Sequence, residues 1–442
     1  MPKSWLSTLN TYRDIRLFWI FLMGIASGFP WVLIASGLSG WLKDEGVSRA
    51  EIGLLGSVSM VYALNFLWAP FIDRVHLPLL HRLLGQRRSW ILLMQALMLI
   101  WVFLLTTVTP NQQLFTFGLL ALLIAICSAT QDIAVDAFRI DQFSVDENDK
   151  MPAAAAMSVI GWWTGYSWPG YIAFASADSI GWNQVYAVMM AVLGVLMAAT
   201  LLVREPKTER EALQSQAEQN VQDKLHLSKA GNWLTVTLIE PFMEFFRRNG
   251  VKVALAIMVF IFTFKIGEAF LGRMSVVFYR ELGFSNEQIG QYTKLFGWFL
   301  TVLFTLMGSA FNTRFGVLKG LMIGGIAMAG SNLMFALMAQ SGPLEWLLLL
   351  TLLVDNFTAA FSSVALVAFI SAITGRAFTA TQYALLASLG NLGRSSMSGA
   401  SGYMVDWLGS WEAFFVVTTL MVIPSLILLW SLRHKFRDLT NG

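Results

Sequence analysis

The 442-residue sequence predicts an all-α membrane protein with twelve transmembrane helices in two pseudo-symmetric six-helix halves. Three observations lead to that fold class. The chain is 56% hydrophobic and only 13% charged, with a mean hydropathy of +0.62. A soluble domain carries about 25% charged residues, so lipid has to take up the surplus apolar surface. Apolar stretches of about 20 residues, the length a helix needs to cross a bilayer, recur along the whole chain. The segment Trp41–Gly53 also returns in altered form as Phe278–Gly290, 237 residues later. Gly46/Gly283, Ser48/Ser285, Ile52/Ile289 and Gly53/Gly290 are identical, and Lys43/Arg280 and Asp44/Glu281 keep their charge. A membrane chain built twice from one six-span unit has the form of a secondary transporter with parallel halves.

Taken in order, the predicted spans cover about 17–41, 51–71, 89–108, 114–138, 152–174, 183–203, 252–272, 288–311, 317–340, 344–369, 379–404 and 411–432. They define an N-terminal half (1–203), a linker (204–251) and a C-terminal half (252–442). The linker opens polar and helix-like to about Lys229. Its second part, Trp233–Arg248, has an apolar side and a basic end and is expected to lie along the membrane surface. The first apolar stretch is span-length and lacks a small-residue cleavage site, unlike a signal peptide.

Positive charge sets the orientation. With the N-terminus inside, 23 of the 30 Lys and Arg fall on the inner side and only Lys43, Arg49 and Arg280 on the outer. Both termini and the linker are therefore expected in the cytoplasm. Cys127 is the only cysteine, so no intrachain disulfide forms. All four histidines, His76, His81, His226 and His434, fall outside the spans. Any side chain that carries a proton through the membrane is thus expected to be a carboxylate.

Only Asp132, Asp136, Glu268 and Asp355 lie inside the predicted spans away from their ends. Intramembrane charge costs at least about 2.5–3.5 kcal/mol and usually marks a cavity or a partner. Asp132 and Asp136 share one face of span 4, with Arg139 continuing it. Two readings stand for Asp136: proton binding, or an inner-gate ion-pair network with Asp73, Arg74, Arg87 and Arg88. Asp132 is the stronger proton or substrate candidate. Lys265 and Glu268, three apart on span 7, can pair, and the repeat offset places Lys265 opposite Gly28 of span 1. Arg394 in span 11 can grip a substrate carboxylate or neutralise Asp355. Asn356 sits beside Asp355 as a further substrate contact. Lys294 is a weaker candidate, because it can snorkel to the interface. Trp162 and Trp163 in span 5 offer flat faces for sugar rings, although interfacial Trp is commoner. Gly24, Gly28 and Pro30 are expected to form a hinge in span 1. There is no P-loop, no G-x-S-x-G and no His-based metal motif, so neither an ATP-driven pump nor an enzyme is supported.

Several motifs together resemble the AmpG family of muropeptide permeases: Gly24-x-x-Ser27-Gly28-x-Pro30, Phe66-Leu67-Trp68-Ala69-Pro70-x-x-Asp73-Arg74, Gln86-Arg87-Arg88-x-Trp90, Ser128-Ala129-Thr130-Gln131-Asp132-Ile133-x-x-Asp136-Ala137, Phe264-Lys265-Ile266-Gly267-Glu268-Ala269 and Ala380-Thr381-Gln382-Tyr383. The resemblance runs through all twelve spans. It implies a major facilitator fold in a bacterial inner membrane, acting as a monomer, with no cofactor and no nucleic-acid partner. It implies import of anhydro-muropeptides from periplasm to cytoplasm, driven by the proton gradient, in a route that feeds β-lactamase induction. Gln131 and Gln382, within the motifs of spans 4 and 11, are expected to bind substrate. Asp73, Arg74, Arg87 and Arg88, around a loop stretched here by His76–Arg82, and Arg139 of span 4 are expected to gate. Larger members carry two further C-terminal spans, so this chain resembles a shorter branch. A siderophore importer and a membrane sensor signalling through the linker are the alternatives.

Overall fold

The computed structural model describes residues 10–206, 208–225, 228–284 and 297–436, and these are helical, with no strand among them. Among the described residues, eight helices are long and apolar enough to cross a membrane: Ile15–Asp44, Gln86–Leu105, Leu114–Asp141, Trp182–Leu202, Val251–Leu282, Val317–Ser341, Glu345–Ile373 and Trp411–Ser431. These are spans 1, 3, 4, 6, 7, 9, 10 and 12. Spans 2, 5, 8 and 11 are helical too but fall outside that group. Span 2 is broken by tight turns at Ser57–Met60 and Asn65–Leu67 before ending in Ala69–Arg74. Span 5 is Met151–Ile180; span 8 is described over Gly297–Phe315; span 11 runs Thr379–Ser398 and Ser401–Leu408.

The reason lies in where these four helices sit. Span 5 meets span 8 through Trp168 and Trp298, whose rings are 5.7 Å apart, and through Ser309 Oγ, which donates to the Pro152 carbonyl at 2.8 Å. Span 2 meets span 11 through Asp73 and Thr381 and through Asn65 and Ser388. Helices that face another half instead of lipid on much of their surface carry small and polar residues.

The internal repeat is visible in the backbone. Val47 N donates to Leu42 O and, 237 residues on, Phe284 N donates to Tyr279 O, both at 3.0 Å. Gly46 and Gly283 both adopt positive φ, 79° and 107°, where glycine avoids the Cβ clash. Trp182 at the start of span 6 donates to Asp44 at 2.6 Å, and Trp411 at the start of span 12 donates to Glu281 at 2.8 Å. The repeat partners Ser285, Ile289 and Gly290, and Lys294, lie outside the described residues.

Gly24 and Gly28 act as packing positions. A Cβ on Gly28 would stand 2.0 Å from the Trp162 carbonyl oxygen, and one on Gly24 2.7 Å from that of Ser158. Spans 1 and 5 therefore touch backbone to backbone, with Gly161 and Gly165 on the facing side. Pro30 sits just before a wider helical turn, Val32–Ser36, and the helix continues through it. The linker forms three helices, Arg210–Leu225, Lys229–Leu238 and Glu240–Asn249. Part of its apolar side packs into the bundle's end, where Phe245 joins a core with Ile257, Phe260 and Phe369, while Leu234, Leu238, Ile239 and Met243 stay exposed. Val236 packs with Val221 and Phe378.

Candidate translocation site and gate

A small cavity of about 80 Å³ lies between the halves, lined by Tyr62 and Asn65 of span 2, Asp132, Ile133 and Asp136 of span 4, and Tyr383, Ala384, Ala387, Ser388 and Asn391 of span 11. At about 30 Å³ per water it holds only a few waters, so it is the floor of a site and not a whole substrate pocket. Both span-4 carboxylates reach it because a spacing of four puts them on one helix face. Asp132 accepts from Ser27 Oγ at 2.6 Å and has no cation within ion-pair distance among the described residues. Asp136 pairs with Arg139 at 3.2 Å. Arg139 is buried and donates to Ser158 and, across the halves, to Ser371, both at 3.2 Å, while lying over the Tyr383 ring. Ser388 donates to Asn65 at 2.8 Å.

An aromatic wall continues from the floor. Tyr62 packs on Trp31 at 4.6 Å, Trp31 on Trp162 at 6.1 Å, and Trp162 stacks on Tyr166 at 5.5 Å. Trp163 sits edge-on to Trp162 at 5.2 Å and is 38% exposed. Gln131 is buried and donates to the Ala26 carbonyl at 2.6 Å, which ties span 4 to span 1 away from the cavity lining.

The C-terminal half holds a second charged group. Span 7 breaks its helix at Lys265, between Val251–Phe264 and Ile266–Leu282. Lys265 is buried, is ion-paired with Glu268, and donates to Ser362 Oγ at 2.7 Å. Asp355 accepts from Ser331 at 2.9 Å, and Asn356 donates to the Leu352 carbonyl of its own helix at 2.8 Å. Arg394 is exposed, three residues from the cavity-lining Asn391, and makes no ion pair with Asp355.

A network of ion pairs and hydrogen bonds joins the halves at the linker end. Arg87 is fully buried and bonds Asp73 at 2.9 Å, Asp141 at 3.0 Å and Thr379 Oγ1 at 2.6 Å. Asp73 also accepts from Ala380 N at 3.2 Å and Thr381 N at 2.8 Å, so a carboxylate from one half caps the span-11 helix of the other. Linker residues join in. Arg210 reaches Asp141 at 3.3 Å, and Arg74 pairs with Glu218. Gln214 donates to the Asp73 carbonyl at 3.4 Å and the Ala377 carbonyl at 2.7 Å. Gln382 belongs to this latch and not to the cavity: it donates to Pro241 O at 2.9 Å and also contacts Glu244 and Arg248. Arg88 lies beside the gate, capping the end of span 6 through the Thr200 carbonyl at 3.1 Å. Glu205 accepts from the Arg87 and Arg88 amides at 2.7 and 3.1 Å, and burial pushes its carboxyl above the usual range.

Sequence reading had not singled out Tyr62, Asn65, Ser388, Asn391 or Trp31. Asn65 and Asn391 carried a signal, as uncharged polar groups inside apolar spans. Tyr62 and Trp31 carried none, because aromatic residues are common throughout this chain.

The Major Facilitator Superfamily profile matches residues 20–285. The chain is 33% identical to the transporter named AmpG 4 of Rickettsia conorii, over 96% of this chain and 98% of that one. It is 30% identical to the anhydromuropeptide permease of Escherichia coli K12, over 96% of this chain and 81% of that one. Its fold matches the proton:xylose symporter XylE, solved with 6-bromo-6-deoxy-D-glucose, with a TM-score of 0.68 over 94% of each chain at 14% identity. The paired halves, the carboxylate-lined cavity between them and the full-length likeness agree that this protein is a transporter of the major facilitator superfamily and belongs to its AmpG permease family.

Proposed function

We propose that this protein imports anhydro-muropeptides into the cytoplasm of a bacterium, coupled to proton flow. The carrying observation is Asp132. It is an intramembrane carboxylate with a hydroxyl partner and no counter-ion, on the floor of a cavity that both halves line. A group so placed exchanges a proton with the cavity as the halves rock, which is how a carboxylate couples two fluxes. The family likeness supports the substrate, as one relative is named for anhydromuropeptide. The aromatic wall suits sugar faces. Arg394 and the Lys265–Glu268 pair offer charge to an acidic peptide. The 23-to-3 distribution of positive charge supports an inner-membrane orientation with linker and termini cytoplasmic. The described bonds between the halves at the linker end and beside the cavity support the reading of a state closed on that side. The link to β-lactamase induction follows from delivering such fragments inside.

The test is uptake of labelled anhydro-muropeptide by cells that lack their own permease and express this chain, with and without a protonophore. Protonophore-sensitive accumulation that Asp132→Asn abolishes, while substrate exchange persists, is the expected result. No uptake by well-inserted protein would overturn the substrate, and protonophore-insensitive accumulation would overturn the coupling.

A further inference from the structure

The loop between spans 2 and 3 and the linker helix Arg210–Leu225 bring three metal-ligating side chains together, and no step of transport uses them. His76 Nε2 is 3.5 Å and His81 Nε2 3.8 Å from the same oxygen, Glu211 Oε1. One ligand atom from each of the three lies within 4.8 Å of the others. The two rings are 4.3 Å apart at 70°. The remaining nitrogen of His81, Nδ1, is buried without a hydrogen-bond partner. Two of the chain's four histidines therefore converge on one carboxylate.

The backbone is bent to place them there. Leu79, between the histidines, is the only non-glycine residue with positive φ among those described, at 66°. Leu80 N donates to Pro78 O at 2.8 Å, closing a three-residue turn of a rare and strained kind. That turn folds the loop back so that side chains five residues apart face one carboxylate. Arg210, the neighbouring cation, is turned to Asp141 and leaves the three ligands facing one another.

We propose that His76, His81 and Glu211 form a Zn²⁺-class cation site that ties the loop between spans 2 and 3 to the linker. Two imidazoles and a carboxylate with an open fourth position suit zinc. With bonds of about 2.0–2.1 Å, a tetrahedral ion holds its ligand atoms about 3.3 Å apart, so shifts of side-chain size close the site. The bound ion favours the state with the linker docked, because ligands from both segments exist together only there. It strengthens the latch made by Arg74–Glu218 and Gln214.

The experiment is titration of purified, tag-free protein with Zn²⁺ by calorimetry, and with Co²⁺ as a visible-absorption probe of geometry. The expected result is one ion per chain, tetrahedral Co²⁺ bands, and binding at least about tenfold weaker in His76→Ala, His81→Ala and Glu211→Gln. Metal-free melting curves of the variants show that they remain folded, and Zn²⁺ raises the melting temperature of the parent only. Binding that survives in the His76→Ala/His81→Ala double variant would move the ion to His226 or His434 and overturn the site. Binding unchanged in Glu211→Gln would overturn the tie to the linker, and absence of stoichiometric binding would overturn the proposal entirely.

Discussion

Asp73 does three things at once: it pairs with Arg87, caps span 11, and accepts the Thr381 hydroxyl at 2.7 Å. Removing one partner of a buried ion pair typically costs about 3–5 kcal/mol, since the other charge stays behind. Asp73→Ala is therefore expected to destabilise the closed linker end by that order. Thermal unfolding in detergent reads the loss. Cysteines placed at the linker end and probed with a thiol reagent read the opening, against low background because native Cys127 is buried. Lys265 and Glu268 make a different case, a pair inside one span in which Glu268 keeps some exposure. Lys265→Ala alone strands the carboxylate, whereas Lys265→Ala/Glu268→Ala removes both charges. The double variant is expected to be more stable than the sum of the singles by about 0.5–3 kcal/mol in a double-mutant cycle. Additive singles would show that the two do not work as a pair. Asp132 and Lys265 were legible in the sequence, because charge in an apolar span is rare. Gln382 was not, since its partners Pro241 and Glu244 come from the linker.

At the scale of helices, small residues decide how close elements come. The crossing of spans 1 and 5 leaves no room for one methyl group at Gly28. Gly28→Ala is expected to cost about 3 kcal/mol or more, because the contact is backbone and cannot move aside. It should lower the yield of folded protein in size-exclusion chromatography. Gly46→Ala is a milder test: nothing lies within 4 Å of the added carbon, so only the positive φ matters. About 1–2 kcal/mol is expected, seen as a modest fall in melting temperature. The repeat around Gly46 and Gly283 was readable as sequence. The packing role of Gly24 and Gly28 was not, because a glycine that allows bending and one that allows contact look alike until the neighbouring helix is placed.

Over the whole molecule, the linker is bonded into the network that joins the halves. Gln214 holds a carbonyl from each half, so Gln214→Ala is expected to shift the population towards an open linker end, measurable by the same thiol accessibility. Beside it, Asp14, Arg16, Glu147 and Lys150 knit the start of span 1 to the loop before span 5. The Arg16 guanidinium holds the Asp14 carboxyl well below its usual range and lowers that of Glu147 to about 2. A carboxyl depressed in the folded state binds its proton more readily when unfolded. The stability it contributes is thus present above its ordinary value, near 4.5 for Glu147, and is lost as pH falls towards 2. Melting temperature should decline across that window, and less steeply in Glu147→Gln. An equal decline in both proteins would show that the cluster does not contribute.

Membrane residence, the duplicated half and the carboxylates of span 4 were determined by the sequence alone, and its charge bias sets the expected orientation. Each rests on a local or cumulative property: apolar length, a repeat, a charge bias, a charge where lipid forbids one. The tertiary structure decided the rest. It alone sent Gln131 to the span-1 backbone and Gln382 to the linker, and it alone joined Asp73 to the helix of the opposite half. It likewise packed Phe245 and Val236 of the linker against distant helices and set two histidines against a glutamate 130 or more residues away. Such contacts depend on which surfaces meet across long stretches of chain, and no spacing within a single segment carries that information.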